Sequence, residues 1–335
     1  MGRAACGQGR GRASHGRGDG SRDAIDRERR RSDQGRDIAA RRLRWGILGA
    51  ADIAGKAVIP AIDASRNGRL VALASRSPER ARAMMGARRD ARLLDSYERL
   101  IEQQDVDAVY IPLINNLHLE WTLRALDAGK HVLCEKPLAM NAVEAEEMAA
   151  AAERSGRRLM EAFMYRFNAS LQQFIESLRD PLDVRATFGF QLRPGANYRF
   201  HSALGGGALL DVGCYVSSLT RWILGEPLDV MATARIENGI DMTTSALLSF
   251  AGGRTASLWC SFESPEEQEL TVITRDAVHR RERPFTPPDD PGAPYRLMLE
   301  SFAESALNDR PVAIPLAESI ANLKTLDRIR DAASF

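Results

Sequence analysis

The chain has 335 residues, is 44% hydrophobic and 27% charged, and carries a formal net charge of +1. Its length exceeds that of one ordinary domain, so two are expected. Near-neutral charge argues against a nucleic-acid partner, and no apolar run reaches the length of a membrane span.

Residues 1–44 hold 13 arginines against six acids and almost no large apolar side chains. Such a segment cannot bury enough surface to offset its ordering entropy, so residues 1–42 read as a disordered leader. A twin-arginine export signal would need an apolar stretch after Arg29-Arg30-Arg31, but Ser32-Asp33-Gln34-Gly35 follows. A mitochondrial transit peptide should lack acids, and Asp19, Asp23, Asp26, Glu28, Asp33 and Asp37 are present. An RNA-binding tail and a plain solvated tail or mis-assigned start both stay open. The four cysteines, Cys6, Cys134, Cys214 and Cys260, have no paired spacing. That excludes a disulfide framework or zinc ribbon and points to free thiols in a reducing, cytoplasmic setting.

Order begins at Leu43. Residues 43–50 read as a buried strand running into a tight turn, followed by a helix over 53–66 and a strand over 69–75. Ser77, Pro78 and Gly86 punctuate the next helix as cap, first residue and stop. Ser96 caps a helix over 97–104, and 106–113 is a buried strand. A helix over 118–128 ends at Gly129, and a strand follows over 130–134. Asn141 and Glu144 fit a capping box opening the helix 142–155, which Gly156 stops. Alternation of strand and helix implies a parallel, doubly wound sheet.

The pattern changes near Tyr165. A helix over 169–179 leads to strands at 183–192, 230–237, 243–250, 254–262 and 268–274, with a helical region over 207–224 between them. Helices close the chain at 295–308 and 316–332.

The turn after the first strand, GILGAADIAGK over 46–56, places Gly49, Ala51 and Ala54 where a dinucleotide site needs small residues. Asp52 and Ile53 lie on the same turn. Pyrophosphate would sit at the positive helix end. The second strand ends in Ser75-Arg76, a hydroxyl and a cation where an acid would mark NAD, and Arg80 lies one turn on. That set suits a 2′-phosphate, so NADP is expected over NAD. Lys136 ends the strand 131–134 inside Glu135-Lys136-Pro137, in a chain with only four lysines. Lysine can lose its proton when desolvated, and arginine effectively cannot. Lys136-Pro137 is a candidate cis bond. In GGGALLDVGCY over 205–215, Asp211 and Tyr215 stand four apart, on one helix face. His118, Cys214 and His201 offer no metal-ligand spacing, so no metal is expected.

These segments resemble the Gfo/Idh/MocA family of oxidoreductases from Leu43 to the C-terminus. The resemblance is strongest to its glucose–fructose oxidoreductase, D-xylose 1-dehydrogenase and trans-1,2-dihydrobenzene-1,2-diol dehydrogenase branch. It is carried by WGILGAADIA (45–54), VDAVYIPLINNLH (106–118), AGKHVLCEKPL (128–138), LMEAFMYRF (159–167), NYR (197–199) and GGGALLDVGCY (205–215). It implies a Rossmann domain over 43–165 and a C-terminal α/β domain over 166–335. The latter is built on an open, mostly antiparallel sheet that commonly forms a homodimer contact. It implies Lys136, Asp211 and Tyr215 as catalytic residues, with Asn115 and His118 on a loop over the nicotinamide ribose. Tyr165, Arg166, Tyr198 and Arg199 are substrate-pocket candidates at the domain junction. Ile114 replaces the proline usual before Asn115, and the turn in 273–279 lacks its usual glycine.

The expected function is NADP-dependent hydride transfer with a sugar or polyol. Tyr215 would accept the hydroxyl proton, its pKa lowered by the Lys136 ammonium; a second version gives proton removal to Lys136. A dihydrodiol dehydrogenase and a silent cofactor-binding regulator are the competing readings.

Overall fold

The computed structural model describes residues 41–335 except Arg89, Pro194, Ala196, 287–290 and Phe335. The expected leader lies outside the described residues but for its last two.

The first sheet has strands β1 (Leu43–Leu48), β2 (Gly68–Ala74), β3 (Arg92–Leu94), β4 (Ala108–Ile111), β5 (His131–Cys134) and β6 (Leu159–Glu161). Their order is β3-β2-β1-β4-β5-β6, all parallel. Every residue of β4 is buried, because crossover helices cover both faces of such a sheet. The order reverses between β1 and β4, which opens a crevice beyond their carboxyl ends.

Helices α1 (Ile59–Ala64), α2 (Pro78–Met85), α3 (Tyr97–Ile101), α4 (His118–Asp127) and α5 (Ala142–Ser155) make the crossovers. The start of α5 follows its sequence signature. The Asn141 side chain accepts from the Glu144 N–H at 2.9 Å, Glu144 accepts from the Met140 N–H at 3.0 Å, and Gly156 turns left-handed. Ser77 stands at the cap of α2, yet its side chain makes no capping bond. The helix expected at 53–66 is present over 52–64, with its turns widened over Ala54–Val58.

The second sheet has strands β7 (Asp183–Gly189), β8 (Asp229–Glu237), β9 (Ile240–Phe250), β10 (Arg254–Ser261), β11 (Glu267–Ile273) and β12 (Val278–Glu282). Its order is β12-β11-β7-β10-β9-β8, antiparallel except for β7 beside β10. In β9, Ala246, Leu248 and Phe250 are buried on one face, while Leu247 on the other is 56% exposed. The turn between β11 and β12 closes without a glycine. Thr274 and Ala277 exchange a backbone bond of 3.0 Å, and the Thr274 hydroxyl also accepts from the Ala277 N–H at 3.2 Å.

Helix α6 (Ala169–Ser177) precedes β7, and α7 (Cys214–Leu224) lies against it. Helices α8 (Ala293–Leu307) and α9 (Leu316–Ala332) return to the first sheet. Phe302 of α8 packs against Trp45 of β1 with ring centres 5.4 Å apart. Asp327 of α9 accepts from the Ala142 N–H at 2.9 Å, and Asn322 of α9 donates to the Cys214 carbonyl at 3.1 Å. Helix α8 thus packs on the first sheet, and α9 links it to the second half of the chain.

Candidate active site

The floor of the crevice is the turn after β1. Gly49 has φ of +108°, and its N–H donates to the Ala74 carbonyl at 2.8 Å. A Cβ there would stand 2.9 Å from Leu113 Cδ2 on a backbone that L side chains rarely adopt, so this tight turn calls for glycine, as a pyrophosphate-binding turn does. Ala51 and Ile53 lead into the wide turn that follows, and the Ala51 carbonyl accepts from the Ala54 N–H at 3.0 Å.

At the end of β2, Ser75 is buried and its hydroxyl accepts from the Ser77 N–H at 3.0 Å. Arg76 is exposed and has no partner among the described residues. Arg80 pairs across the crevice mouth with Asp52 at 3.0 Å, and Lys56 meets the same carboxylate at 3.3 Å. The bond from Lys56 and its charge hold the Asp52 carboxyl below its usual value, with Arg80 adding to the effect. A cradle at Gly49, the Ser75 hydroxyl and the open Arg76 fit a dinucleotide bearing a 2′-phosphate.

Beyond β4, Ile114 takes φ −71° and ψ 151°, the conformation a proline would impose, so the replacement leaves the loop path intact. Asn115 is buried and donates to the Gly205 carbonyl at 2.8 Å, tying this loop to the glycine run of the second half. The two His118 ring nitrogens face the Pro137 and Leu113 carbonyls at 2.9 and 3.1 Å. Burial lowers its pKa. His118 therefore braces two loops from within.

Beyond β5 comes Glu135, which accepts from the Tyr110 hydroxyl at 2.5 Å and from the Lys136 N–H at 3.2 Å. Burial raises its pKa against both bonds. The Lys136-Pro137 peptide is cis. Lys136 Nζ donates to the Asp211 carbonyl at 2.8 Å and to Asp211 Oδ1 at 3.0 Å, and lies 5.0 Å from the centre of the Tyr215 ring. Asp211 reaches this point from a second wide turn, Leu209–Gly213, and Tyr215 from the first turn of α7, which follows it. Gly207, with φ of +111°, sets the approach: a Cβ there would overlap Asp241, whose carboxylate accepts from the Leu209 N–H at 2.6 Å.

Lys136, Asp211, Tyr215 and the nearby Arg199 shift one another's ionisation. Burial penalises the Asp211 carboxylate, but Lys136 and Arg199 overcome it and hold its pKa down at about 2. Burial would lower Lys136, yet the Asp211 charge prevails and the net shift is well upward. Tyr215 corrects the sequence expectation. Lys136 does pull its pKa down, but burial outweighs the cation and the phenol moves well above its usual value. It is a protonated phenol at neutral pH.

The remaining candidates divide. Arg199 joins the cluster, its Nε donating to Asp211 Oδ2 at 2.7 Å. Tyr198 lies beside it, half-buried. Tyr165 is fully buried, donates to the Ser218 hydroxyl at 2.7 Å and packs with Tyr215 and Phe285, so it supports the Tyr215 ring from behind. Arg166 stacks on Trp222, 4.0 Å from its ring centre. Sequence reasoning missed Glu161 at the end of β6. It accepts from the Leu138 N–H at 2.9 Å beneath the lysine loop, and burial raises its pKa to about 7. Its one visible signal was an acid inside the apolar stretch Leu159–Met164. Among the described residues no group of three or more His, Cys, Asp or Glu could hold a metal ion, and no helix is long and apolar enough to cross a membrane.

A doubly wound sheet with a nucleotide cradle and a lysine–carboxylate–phenol cluster at its carboxyl edge defines a dinucleotide-dependent oxidoreductase architecture. Profiles of the oxidoreductase family with an NAD-binding Rossmann fold and of the GFO/IDH/MocA C-terminal domain match residues 43–163 and 176–278, and the chain belongs to this Gfo/Idh/MocA family. It is 36% identical over 317 residues to D-xylose 1-dehydrogenase (NADP(+)) 2 of Haloferax volcanii, covering 87% of this chain and 97% of that one. It is 36% identical over 234 residues to trans-1,2-dihydrobenzene-1,2-diol dehydrogenase of Xenopus tropicalis, covering 64% of this chain and 68% of that one. Among solved structures, a point variant of a 3-ketoreductase from Actinomadura kijaniata, in complex with TDP-benzene and NADP, superposes with a TM-score of 0.83 at 29% identity. It covers 87% of this chain and 98% of its own.

Proposed function

We propose that this chain is an NADP-dependent dehydrogenase of sugars or related polyols, acting at the C1 hydroxyl of an aldose. The observation that carries the reading is the convergence of Lys136, Asp211 and Tyr215 beyond the carboxyl edge of the first sheet. The near-complete overlap with a relative named for D-xylose and NADP(+) supports the substrate class. Ser75 and Arg76 would hold the 2′-phosphate, Gly49 and Ala51 the pyrophosphate, and the loop at Asn115 the far ribose.

When bound, the nicotinamide supplies the hydride acceptor or, reduced, the hydride donor. Asp211 keeps Lys136 charged and aimed. The ammonium would donate a hydrogen bond to the reacting oxygen, and the Tyr215 hydroxyl would exchange the proton with it. With both groups protonated at neutral pH, the site is set to give a proton to a carbonyl; oxidation requires that proton to leave. The buried free thiols of Cys134, Cys214 and Cys260 fit a reducing, cytoplasmic setting. The outer face of the second sheet, with Met231 64% and Leu247 56% exposed, would meet a second copy of the chain. Leu247→Arg should then lower the mass measured by light scattering from that of an oligomer to that of one chain. An unchanged mass removes the sheet from the contact.

The test of function follows the absorbance of reduced nicotinamide with NADP and a panel of D-xylose, other aldoses, inositols and trans-dihydrodiols. Oxidation of an aldose is expected. Turnover of dihydrodiols alone would move the assignment to that activity. NADP binding with no turnover on any member would favour a silent regulator.

A further inference from the structure

Arg199 has no assigned role in the chemistry, yet it holds the carboxylate that Lys136 depends on. The residue sits on a short turn, Tyr198–Phe200, whose geometry is fixed at both ends. The Asn197 side chain accepts from the Arg199 N–H at 3.1 Å, and the Arg199 carbonyl accepts from the Gly207 N–H at 3.0 Å. The second bond ties the turn to the glycine run that leads into Asp211. From there the guanidinium grips Asp211 with two prongs, Nε to Oδ2 at 2.7 Å and Nη2 to Oδ1 at 3.1 Å. Oδ1 is thus shared with Lys136 Nζ at 3.0 Å. Fork-on-fork pairing fixes the plane of a carboxylate, which a single ammonium cannot do.

We infer that Arg199 is a positioning residue: its fork locks the Asp211 carboxylate so that Lys136 is held over the reacting oxygen. Without it, Asp211 keeps one cation and its carboxylate can turn about its side-chain bonds; the Lys136 ammonium, still held by the Asp211 carbonyl at 2.8 Å, loses the second bond that fixes its direction. The side chain of Arg199 is 29% exposed against 5% for Asp211, so it closes the solvent side of the pair. This inference rests on the proposed reading of Lys136, Asp211 and Tyr215 as the reacting site.

Turnover of D-xylose with NADP is measured in Arg199→Gln, Arg199→Lys, Asp211→Asn and the double variant Arg199→Gln/Asp211→Asn, with thermal melting as a control for folding. Misplacement of a reacting group costs about 10- to 100-fold, so Arg199→Gln should lose that much in kcat, with KM for NADP nearly unchanged. Arg199→Lys should recover part of it. The loss should vanish in the Asp211→Asn background, because Arg199 acts only through that carboxylate. Additive losses, or a loss confined to the sugar KM, would overturn the inference. A second readout needs no turnover. With four lysines in the chain, Lys136 gives one of four ε-carbon resonances in ¹³C-lysine-labelled protein, assigned by its absence in Lys136→Arg. Arg199→Gln should shift that resonance and leave those of Lys56, Lys130 and Lys324 in place. A stationary Lys136 signal would overturn the inference even if D-xylose proves not to be a substrate.

Discussion

The two ends of the crevice are built differently. At the catalytic end the charges are shielded and paired with one another: Asp211 is 5% exposed in its side chain, Lys136 15% and Arg199 29%. At the adenosine end Ser75 is buried but the charged groups lie in water. Arg76 has no partner among the described residues, and the Asp52–Arg80 pair has side chains 71% and 62% exposed. The buried end is pre-organised, and geometry there is set by the fold. The open end is completed by what binds, so it governs affinity and cofactor choice more than rate.

Substitutions at each end separate these roles. Lys136→Ala should cut turnover by about 10²–10⁴-fold and leave NADP affinity within a few-fold. Stopped-flow hydride transfer and fluorescence titration of NADPH read the two quantities apart, and near-normal turnover would take the lysine out of the chemistry. Arg76→Ala should do the reverse. Losing a charge-assisted bond to the 2′-phosphate costs about 2 kcal/mol, or roughly 30-fold in NADP affinity, with NAD affinity and kcat little changed. Equal losses for both cofactors would show that Arg76 does not read the phosphate.

The pH dependence belongs to the buried end. Burial holds the Tyr215 phenol well above its usual pKa. The unprotonated form that oxidation needs is scarce at neutral pH and grows about tenfold per pH unit below that pKa. Oxidation of the sugar should therefore climb steadily into the alkaline range, whereas reduction, which uses the protonated form, should stay flat near neutrality. A bell centred near neutral pH for oxidation would contradict this ionisation. The smallest effect falls on the open end. Asp52→Asn frees Arg80 and removes a negative charge near the phosphate. Exposed pairs are worth under about 1 kcal/mol, so NADP should bind up to about fivefold more tightly.

The sequence made the catalytic end more legible than its electrostatics. Lys136, Asp211 and Tyr215 were visible because each sits in a short motif that carries the family resemblance, although only Tyr215 lies on a regular helix. Arg199 was visible as a pocket residue but not as the partner of Asp211, because the two stand 12 positions apart and the chain between them runs through irregular turns that no periodicity describes. Tyr215 was read in the wrong direction because the neighbouring cation shows in a motif and burial does not.

In the fold, segments with clear punctuation, such as Asn141 to Gly156, were readable to the residue. Strands β3 and β6, with three residues each, are too short to show a period. The wide turns at Ala54–Val58 and Leu209–Gly213 have no sequence mark. The Asn238-Gly239 hairpin was there to be read: both residues have positive φ, as the tightest two-residue turn requires, and β9 starts at Ile240 rather than at 243.

A crystal structure of the protein with NADP and D-xylose tests the central claim most directly. The nicotinamide should lie over the Lys136–Asp211–Tyr215 cluster, with the Lys136 ammonium or Tyr215 hydroxyl about 2.6–3.2 Å from the sugar C1 oxygen. A nicotinamide seated elsewhere in the crevice, with Lys136 still turned to Asp211 and out of reach of the sugar, would contradict it.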